Sequence, residues 1–319
     1  MLSLAGSWPA DAPHNRLGFA RWLVSEDNPL TARVIMNRDW AAFFGRGIVR
    51  TLGDFGFQGD PPTHPELLDW LAVEFMKRGW SVKQMHKLMV MSATYRQSSR
   101  VTPELLTRDS DNRLLSRGPR FRLEAEIIRD SALKASGLLS EKMGGPSVHP
   151  PQPDGVMETA YGSPKWNVDS GEDRYRRSIY TFSKRAAPFA LYANFDAPTG
   201  EACLARRDVS DTPLQALALL NDVVFLEAAR ALGSTLATQE GSVEDRVRTA
   251  FRRCLTRPPT DEEVALLAKF FHAQKELFAN GELDAKALAG EESGDVNERA
   301  AWTALARALW SFDETVTRS

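Results

Sequence analysis

Two cysteines, five histidines and no long apolar run set the first limits on a chain of 319 residues. Cys203 and Cys254 form no Cys-x-x-Cys pair, so a disulfide framework and a Cys-x-x-Cys-His haem attachment site are both excluded; a single bridge between the two stays open. His14, His64, His86, His149 and His272 include no pair at the i, i+4 spacing that sets two ligands on one helical face, and no metal site is expected. No stretch reaches the roughly 18–20 apolar residues that a membrane span needs. The start, Met1 to Pro9, lacks a basic flank and has too short an apolar stretch to read as a secretory signal. Net charge is only −2. Its distribution is uneven: residues 96–207 carry 18 basic and 14 acidic side chains, a net of +4, while 208–319 carry 12 and 19, a net of −7. A middle so mildly basic suits an anionic ligand, but it falls short of a nucleic-acid groove, and no nucleic acid is expected as a partner.

What is present is helical periodicity in a composition of 43% hydrophobic and 26% charged residues, ordinary for a folded protein. Asn28-Pro29 reads as an N-cap followed by proline at the first helical position, leading through Val34, Ile35, Trp40, Phe43 and Phe44 to Gly45. Residues 51–63 read as an ordered loop. His64-Pro65 opens a helix with Leu67, Leu68, Leu71 and Phe75 on one face, and Ser81 to Gln84 has the form of a capping box. A further helix is expected from about Phe121 to Ser140, with Leu123, Ile127, Ile128, Ala135 and Leu138 inward. After residue 208 a broad apolar helix runs from Thr212 through Leu232, then about 243–254, about 261–279 and about 297–314, where Trp302, Leu305, Ala306 and Leu309 form a stripe. Residues 280–296 read as a mobile loop. The fold class is mainly α, a multi-helix globular protein with a long irregular Gly/Pro-rich segment and room for a short strand pair. Its parts are an N-terminal helical portion (1–142), an irregular insertion (143–208) and a C-terminal helical portion (209–319), forming one compact whole.

The insertion gathers Gly144, Gly145, Pro146, Pro150, Pro151, Pro153, Gly155, Gly162, Pro164 and Gly171, with Ser178–Phe182 as a candidate strand. Long irregular segments in compact proteins are often functional. Candidate chemistry lies beside it. Arg120 and Arg122 offer guanidinium forks that match carboxylate, phosphate or sulfate oxygens, with Glu124 or Asp130 for acid–base work; the bland alternative is an Arg122–Glu126 pair at i, i+4. His64 is the third catalytic candidate, although capping the helix that Pro65 opens is the simpler account of it. Arg185, Asp196, Arg206 and Arg207 complete the substrate-binding set, and their cationic neighbourhood would make Cys203 a thiolate unless it is simply an inert cysteine. Tyr161, Trp166, Tyr175, Tyr180 and Tyr192 could stack on sugar rings or pack the core. Gln215 and Asn221 interrupt an apolar helix and are expected to be buried with partners.

Several phrases together carry a resemblance: Asn37-Arg38, Phe44-Gly45-Arg46-Gly47, Asp54-Phe55-Gly56 and His64-Pro65-Glu66-Leu67-Leu68-Asp69-Trp70-Leu71, then Ser92-Ala93-Thr94-Tyr95-Arg96-Gln97-Ser98-Ser99, Arg122-Leu123-Glu124-Ala125-Glu126 and Met143-Gly144-Gly145-Pro146. Phe195-Asp196-Ala197-Pro198, Arg206-Arg207, Leu214-Gln215-Ala216-Leu217 and Arg257-Pro258-Pro259-Thr260 continue it. The chain resembles the planctomycete-specific domain of unknown function found C-terminal to cytochrome-c-like domains in large exported proteins. The resemblance implies a periplasmic or extracellular location, a cytochrome-c-like domain of the same longer protein as partner, and haem only on that separate domain, with no cofactor in this chain. This sequence has Trp40-Ala41-Ala42-Phe43-Phe44-Gly45 where relatives often carry a histidine or other polar residue, which removes any proton-transfer role from that position. Two functions follow as expectations. One is a binding or scaffolding domain in an extracytoplasmic redox or polymer-handling assembly; the other is an enzyme acting on an anionic or carbohydrate substrate, an anionic polysaccharide being the candidate partner, through the arginine/carboxylate set.

Overall fold

Capping chemistry sets where the helices start. Thr212, Ser242 and Thr260 each close a capping box, with Gln215, Asp245 and Glu263 respectively, so that two of the orphan N–H groups at each helix start find partners. The structure, a computed structural model, describes residues 8–9, 11–157, 165–290 and 294–318. It is mainly α-helical, and the chain divides into two compact units, one of Met1–Phe121, Leu204–Arg206 and Arg318–Ser319, the other of Arg122–Cys203 and Arg207–Thr317.

The first unit holds α1 (Arg16–Leu23), α2 (Thr31–Phe44), α3 (Pro65–Lys77), α4 (Val82–Met91) and α5 (Pro103–Arg108). Met36, Trp40 and Phe44 of α2 meet Leu68, Leu71 and Phe75 of α3 and Met85 and Met89 of α4 in one core. Burial of each such side chain is worth about 1.5–3 kcal/mol. Asn37 is fully buried in this core, but its amide trades both its donor and its acceptor with the backbone of Val49, at 2.9 and 2.8 Å, which pins the turn after α2.

The second unit contains α6 (Ala125–Ser136), α7 (Ala190–Asn194), α8 (Pro213–Asn221), α9 (Val223–Thr238), α10 (Val243–Leu255), α11 (Asp261–Ala279), α12 (Ala285–Ala289), α13 (Val296–Trp310) and α14 (Asp313–Val316). Its centre is α13, whose Trp302, Leu305, Ala306 and Leu309 are fully buried and which packs on α9, α11 and α12. Gly233 lets α9 and α13 approach closely, since a Cβ there would lie 2.8 Å from the backbone nitrogen of Thr303. The one sheet among the described residues pairs β1 (Phe121–Arg122) with β2 (Thr317–Arg318).

Several sequence expectations need correction. Asn28 does not cap at Pro29: its side chain accepts the N–H groups of Leu30 and Thr31, at 3.0 Å each, and α2 begins at Thr31. Ser81 starts α4 without a side-chain capping bond. The helix expected from 121 opens only at Ala125, because Phe121 and Arg122 are in β1, and Gly137 in the left-handed conformation ends it; Ile127 points outward. Ser178–Phe182 is no strand. Asp130 takes the Ser178 N–H and the Tyr180 N–H turns back to Arg177, so a 3-10 turn forms and only an isolated bridge, Val148 to Thr181, remains. The helix expected over 212–232 is two helices, broken at Asp222, whose extended backbone frees its carboxylate to cap α9 through the Val224 N–H. Asn221, at that break, is exposed rather than buried, whereas Gln215 is buried. Within 280–296 the chain forms α12, capped by Asp284. The last expected helix ends at Trp310, and α14 follows as a separate turn.

Candidate functional site

The candidate residues of the second unit fall into three clusters around the start of α6. In the first, Arg122 donates to the Asp196 carboxylate, to the Ser210 carbonyl and to Gln215 Oε1. Gln215 Nε2 in turn donates to the Asn194 carbonyl at 2.9 Å, while Asp196 accepts from the Ser210 N–H and hydroxyl, both at 2.8 Å. Asp196 adopts φ +60°, a left-handed conformation that Asp tolerates better than most residues, and this turns its carboxylate back onto Ser210. Burial pushes the Asp196 pKa up, but the two Ser210 donors and the Arg122 guanidinium outweigh it and hold the carboxyl below its usual range. Arg122 therefore pairs with Asp196 and not, as the i, i+4 spacing suggested, with Glu126.

In the second cluster Glu126, in the first turn of α6, takes a bidentate bond from Arg207 at 2.7 and 3.1 Å, and Glu124 lies 3.5 Å from the same guanidinium. Burial alone would lower the Arg207 pKa, yet the Glu126 bonds raise it overall. The third cluster is built on two arginines that the candidate set did not include. Arg129, fully buried, donates to the carbonyls of Arg176 and Arg174 at 2.9 and 3.1 Å and to Ser178 Oγ at 3.3 Å, and lies 3.8 Å from Asp130. Burial depresses its pKa. Arg176, also buried, donates to the carbonyls of Lys142, Gly144 and Pro146 and covers the Tyr180 ring at 3.8 Å. The irregular segment is held by guanidinium groups standing where a sheet would place backbone N–H donors.

His64, Arg120 and Arg206 belong to the other unit. His64 begins α3 without a side-chain capping bond, its Nδ1 3.0 Å from Thr63 Oγ1, and Arg120 and Arg206 are exposed. Arg185 is exposed on the second unit. The cysteines are both free, so the bridge left open is not made. Cys203 is exposed; Cys254 has its thiol pushed up to about 12 by burial. Among the aromatics, Tyr161 lies outside the described residues. Trp166 stacks on Phe189, Tyr180 is covered by Arg176, and the Tyr192 hydroxyl bonds the Ser178 carbonyl.

An open depression of 610 Å³ runs along one face of α6, where Ile127, Asp130, Ser131 and Lys134 line it opposite Leu139, Glu141, Met143 and Arg177. Asp130 is the one candidate carboxylate on this concavity, and its Oδ1 already accepts the Ser178 N–H at 2.8 Å. Among the described residues no group of three or more His, Cys, Asp or Glu side chains is arranged to hold a metal ion, and no helix is long and apolar enough to cross a membrane.

Sequence reasoning missed one pairing altogether. His149 and Asp169, both in the irregular segment, come together with Nδ1 and Oδ2 3.6 Å apart, beside Trp166 and Phe182. The two stand twenty positions apart in a stretch whose sequence shows no periodicity, so no spacing signal would have found the pair. A family model, PSD1, described as a protein of unknown function (DUF1553), matches residues 15–271. Neither the curated proteins nor the solved structures include a match to the chain.

Proposed function

The chain belongs to the PSD1 family of proteins of unknown function, and from that premise we propose that it is a non-catalytic recognition domain of an exported multidomain protein. It serves a redox or polymer-handling assembly outside the cytoplasm, beside a cytochrome-c-like domain of the same longer protein that carries the haem. One observation supports the recognition reading over catalysis: Glu126, Asp130 and Asp196 are all engaged by guanidinium or N–H donors of the same unit. A general acid or base needs a carboxyl that can release and regain its proton near neutral pH, and Asp196 is shifted the opposite way.

The decisive experiment incubates the purified chain with sulfated and uronic-acid polysaccharides and follows both binding and bond cleavage. Binding without cleavage is expected. Cleavage that disappears in Glu124→Gln or Asp130→Asn would overturn the reading and restore the enzyme. Export and partnership are tested separately, by fractionating source cells and by crosslinking followed by detection of covalent haem on the same polypeptide.

A further inference from the structure

Outside the arginine network, one side-chain cluster of the second unit is rigidly built and still open to solvent. Val148 and Thr181 form an isolated parallel bridge, with the Val148 N–H donated to the Tyr180 carbonyl and the Phe182 N–H to the Val148 carbonyl, both at 2.8 Å. This register sets His149 beside Phe182, their rings 4.9 Å apart and 29° from parallel. Asp169 ties His149 down from the other direction: its Oδ2 accepts the His149 N–H at 2.6 Å, and its own N–H donates to the His149 carbonyl at 3.0 Å. Trp166 closes a third side, meeting the imidazole edge-on at 4.8 Å, and is itself held by Phe189 and by donating its indole N–H to the Pro150 carbonyl at 2.7 Å. The side chains of His149 and Asp169 remain 32% and 37% exposed, and Phe182 36%. Asp169 Oδ1 has no hydrogen-bond partner among the described residues, and Nε2 is the ring nitrogen that does not face the carboxylate.

These groups narrow the ligand. Ring carbon edged by one hydrogen-bonding imidazole and one open carboxylate oxygen matches a molecule with an apolar C–H face and hydroxyls on its rim. A wholly apolar partner would leave both polar groups desolvated and unpaired. An anionic ligand would meet Asp169. A quaternary cation would want several ring faces turned inward, whereas Trp166 spends one face on Phe189. We propose that His149, Asp169, Phe182 and Trp166 form a recognition subsite for one neutral pyranose unit of an oligosaccharide. The sugar lays its C–H face against the part of the Phe182 ring that His149 leaves exposed, and its hydroxyls bond His149 Nε2 and Asp169 Oδ1. This rests on the recognition reading above and specifies it. The rigid backbone pairing around the site means that little ordering remains to be done on binding.

The chain has only five histidines, so the imidazole signals of the whole protein can be followed individually by NMR. The labelled chain is titrated with cellopentaose, xylopentaose and mannopentaose, and with pentagalacturonate as the charged comparison, the His149 signal being identified by its loss in His149→Gln. A saturable shift of that signal with at least one neutral pentasaccharide, and none with pentagalacturonate at equal concentration, is expected. His149→Gln and Phe182→Leu should each weaken the binding about tenfold, while their unfolding temperatures show that the fold is retained. A shift confined to other histidines, or binding that survives both substitutions, would overturn this subsite and leave the recognition reading standing. The absence of binding by any neutral sugar would also overturn it. Hydrolysis of a pentasaccharide would sink the recognition reading instead.

Discussion

Arg129→Met removes the donor that holds the 174–178 backbone, and the structure sets the size of the effect. Arg129 serves two carbonyls and one hydroxyl, lies 3.8 Å from Asp130 and is fully buried. Each acceptor left without a charged donor costs about 1–3 kcal/mol, and the relief of burying a guanidinium offsets part of that sum. Removing one member of a buried charged network without its partner costs about 3–5 kcal/mol on balance. At about 2–4 °C per kcal/mol for a unit of this size, the unfolding midpoint should fall by on the order of 10 °C. The substitution should also release the segment it anchors, which carries three trypsin sites, at Arg174, Arg176 and Arg177. Limited trypsin digestion with circular dichroism melting is the assay. Arg129→Lys, which keeps the charge but not the fork, should fall between. A melting loss below about 1 kcal/mol with an unchanged trypsin pattern would refute the idea that this guanidinium substitutes for backbone pairing.

Two amide side chains six positions apart, Gln215 and Asn221, should behave oppositely. Gln215→Leu strips partners from Arg122 and the Asn194 carbonyl and should cost about 1–3 kcal/mol, whereas exposed Asn221→Leu should stay within about 0.5 kcal/mol, as read by denaturant melts. Gly233→Ala should destabilise by about 1–3 kcal/mol despite alanine's advantage of about 1 kcal/mol within a helix, because the added methyl meets Thr303; a gain in stability would show that α9 and α13 separate freely. One thiol per native chain, that of Cys203, should react quickly with a disulfide reagent at pH 8, and two after denaturation. Two fast thiols in the native protein would contradict the burial that pushes Cys254 up to about 12.

Much of the helical scaffold was legible because its signals are local. The capping boxes at Thr212 and Thr260 and the stripe of Trp302, Leu305, Ala306 and Leu309 depend only on neighbours within two turns, and the structure places them accordingly. The errors share a physical origin. A helix through 212–232 is what continuous apolar composition suggests, yet Asp222 breaks it, since its carboxylate caps the next helix instead of continuing the first. Ser178–Phe182 has strand composition, but a strand needs a neighbour, and Asp130 claims the N–H that would have begun the ladder.

For the site, residue type alone marked Arg122, Asp196 and Arg207 as a set worth attention, and the structure does bring Arg122 to Asp196. What it changed is their meaning. From sequence, an arginine with free donors and one whose terminal donors are engaged within the protein look identical; for Arg122 the difference lies in oxygens of Asp196, Ser210 and Gln215, contributed from 74 to 93 positions away in the chain. The same limit hid the backbone-holding role of Arg129, as well as Arg176 and the His149–Asp169 pair. Composition and short-range pattern by themselves determined that this chain is mainly helical, and where several of the longer helices, α3, α8, α10, α11 and α13, begin, because hydrogen bonding within a turn and apolar periodicity are properties of adjacent residues. Only the tertiary structure decided which polar side chains are spent on holding irregular backbone and which stay open to a ligand, because that depends on partners that close packing alone brings within 3 Å.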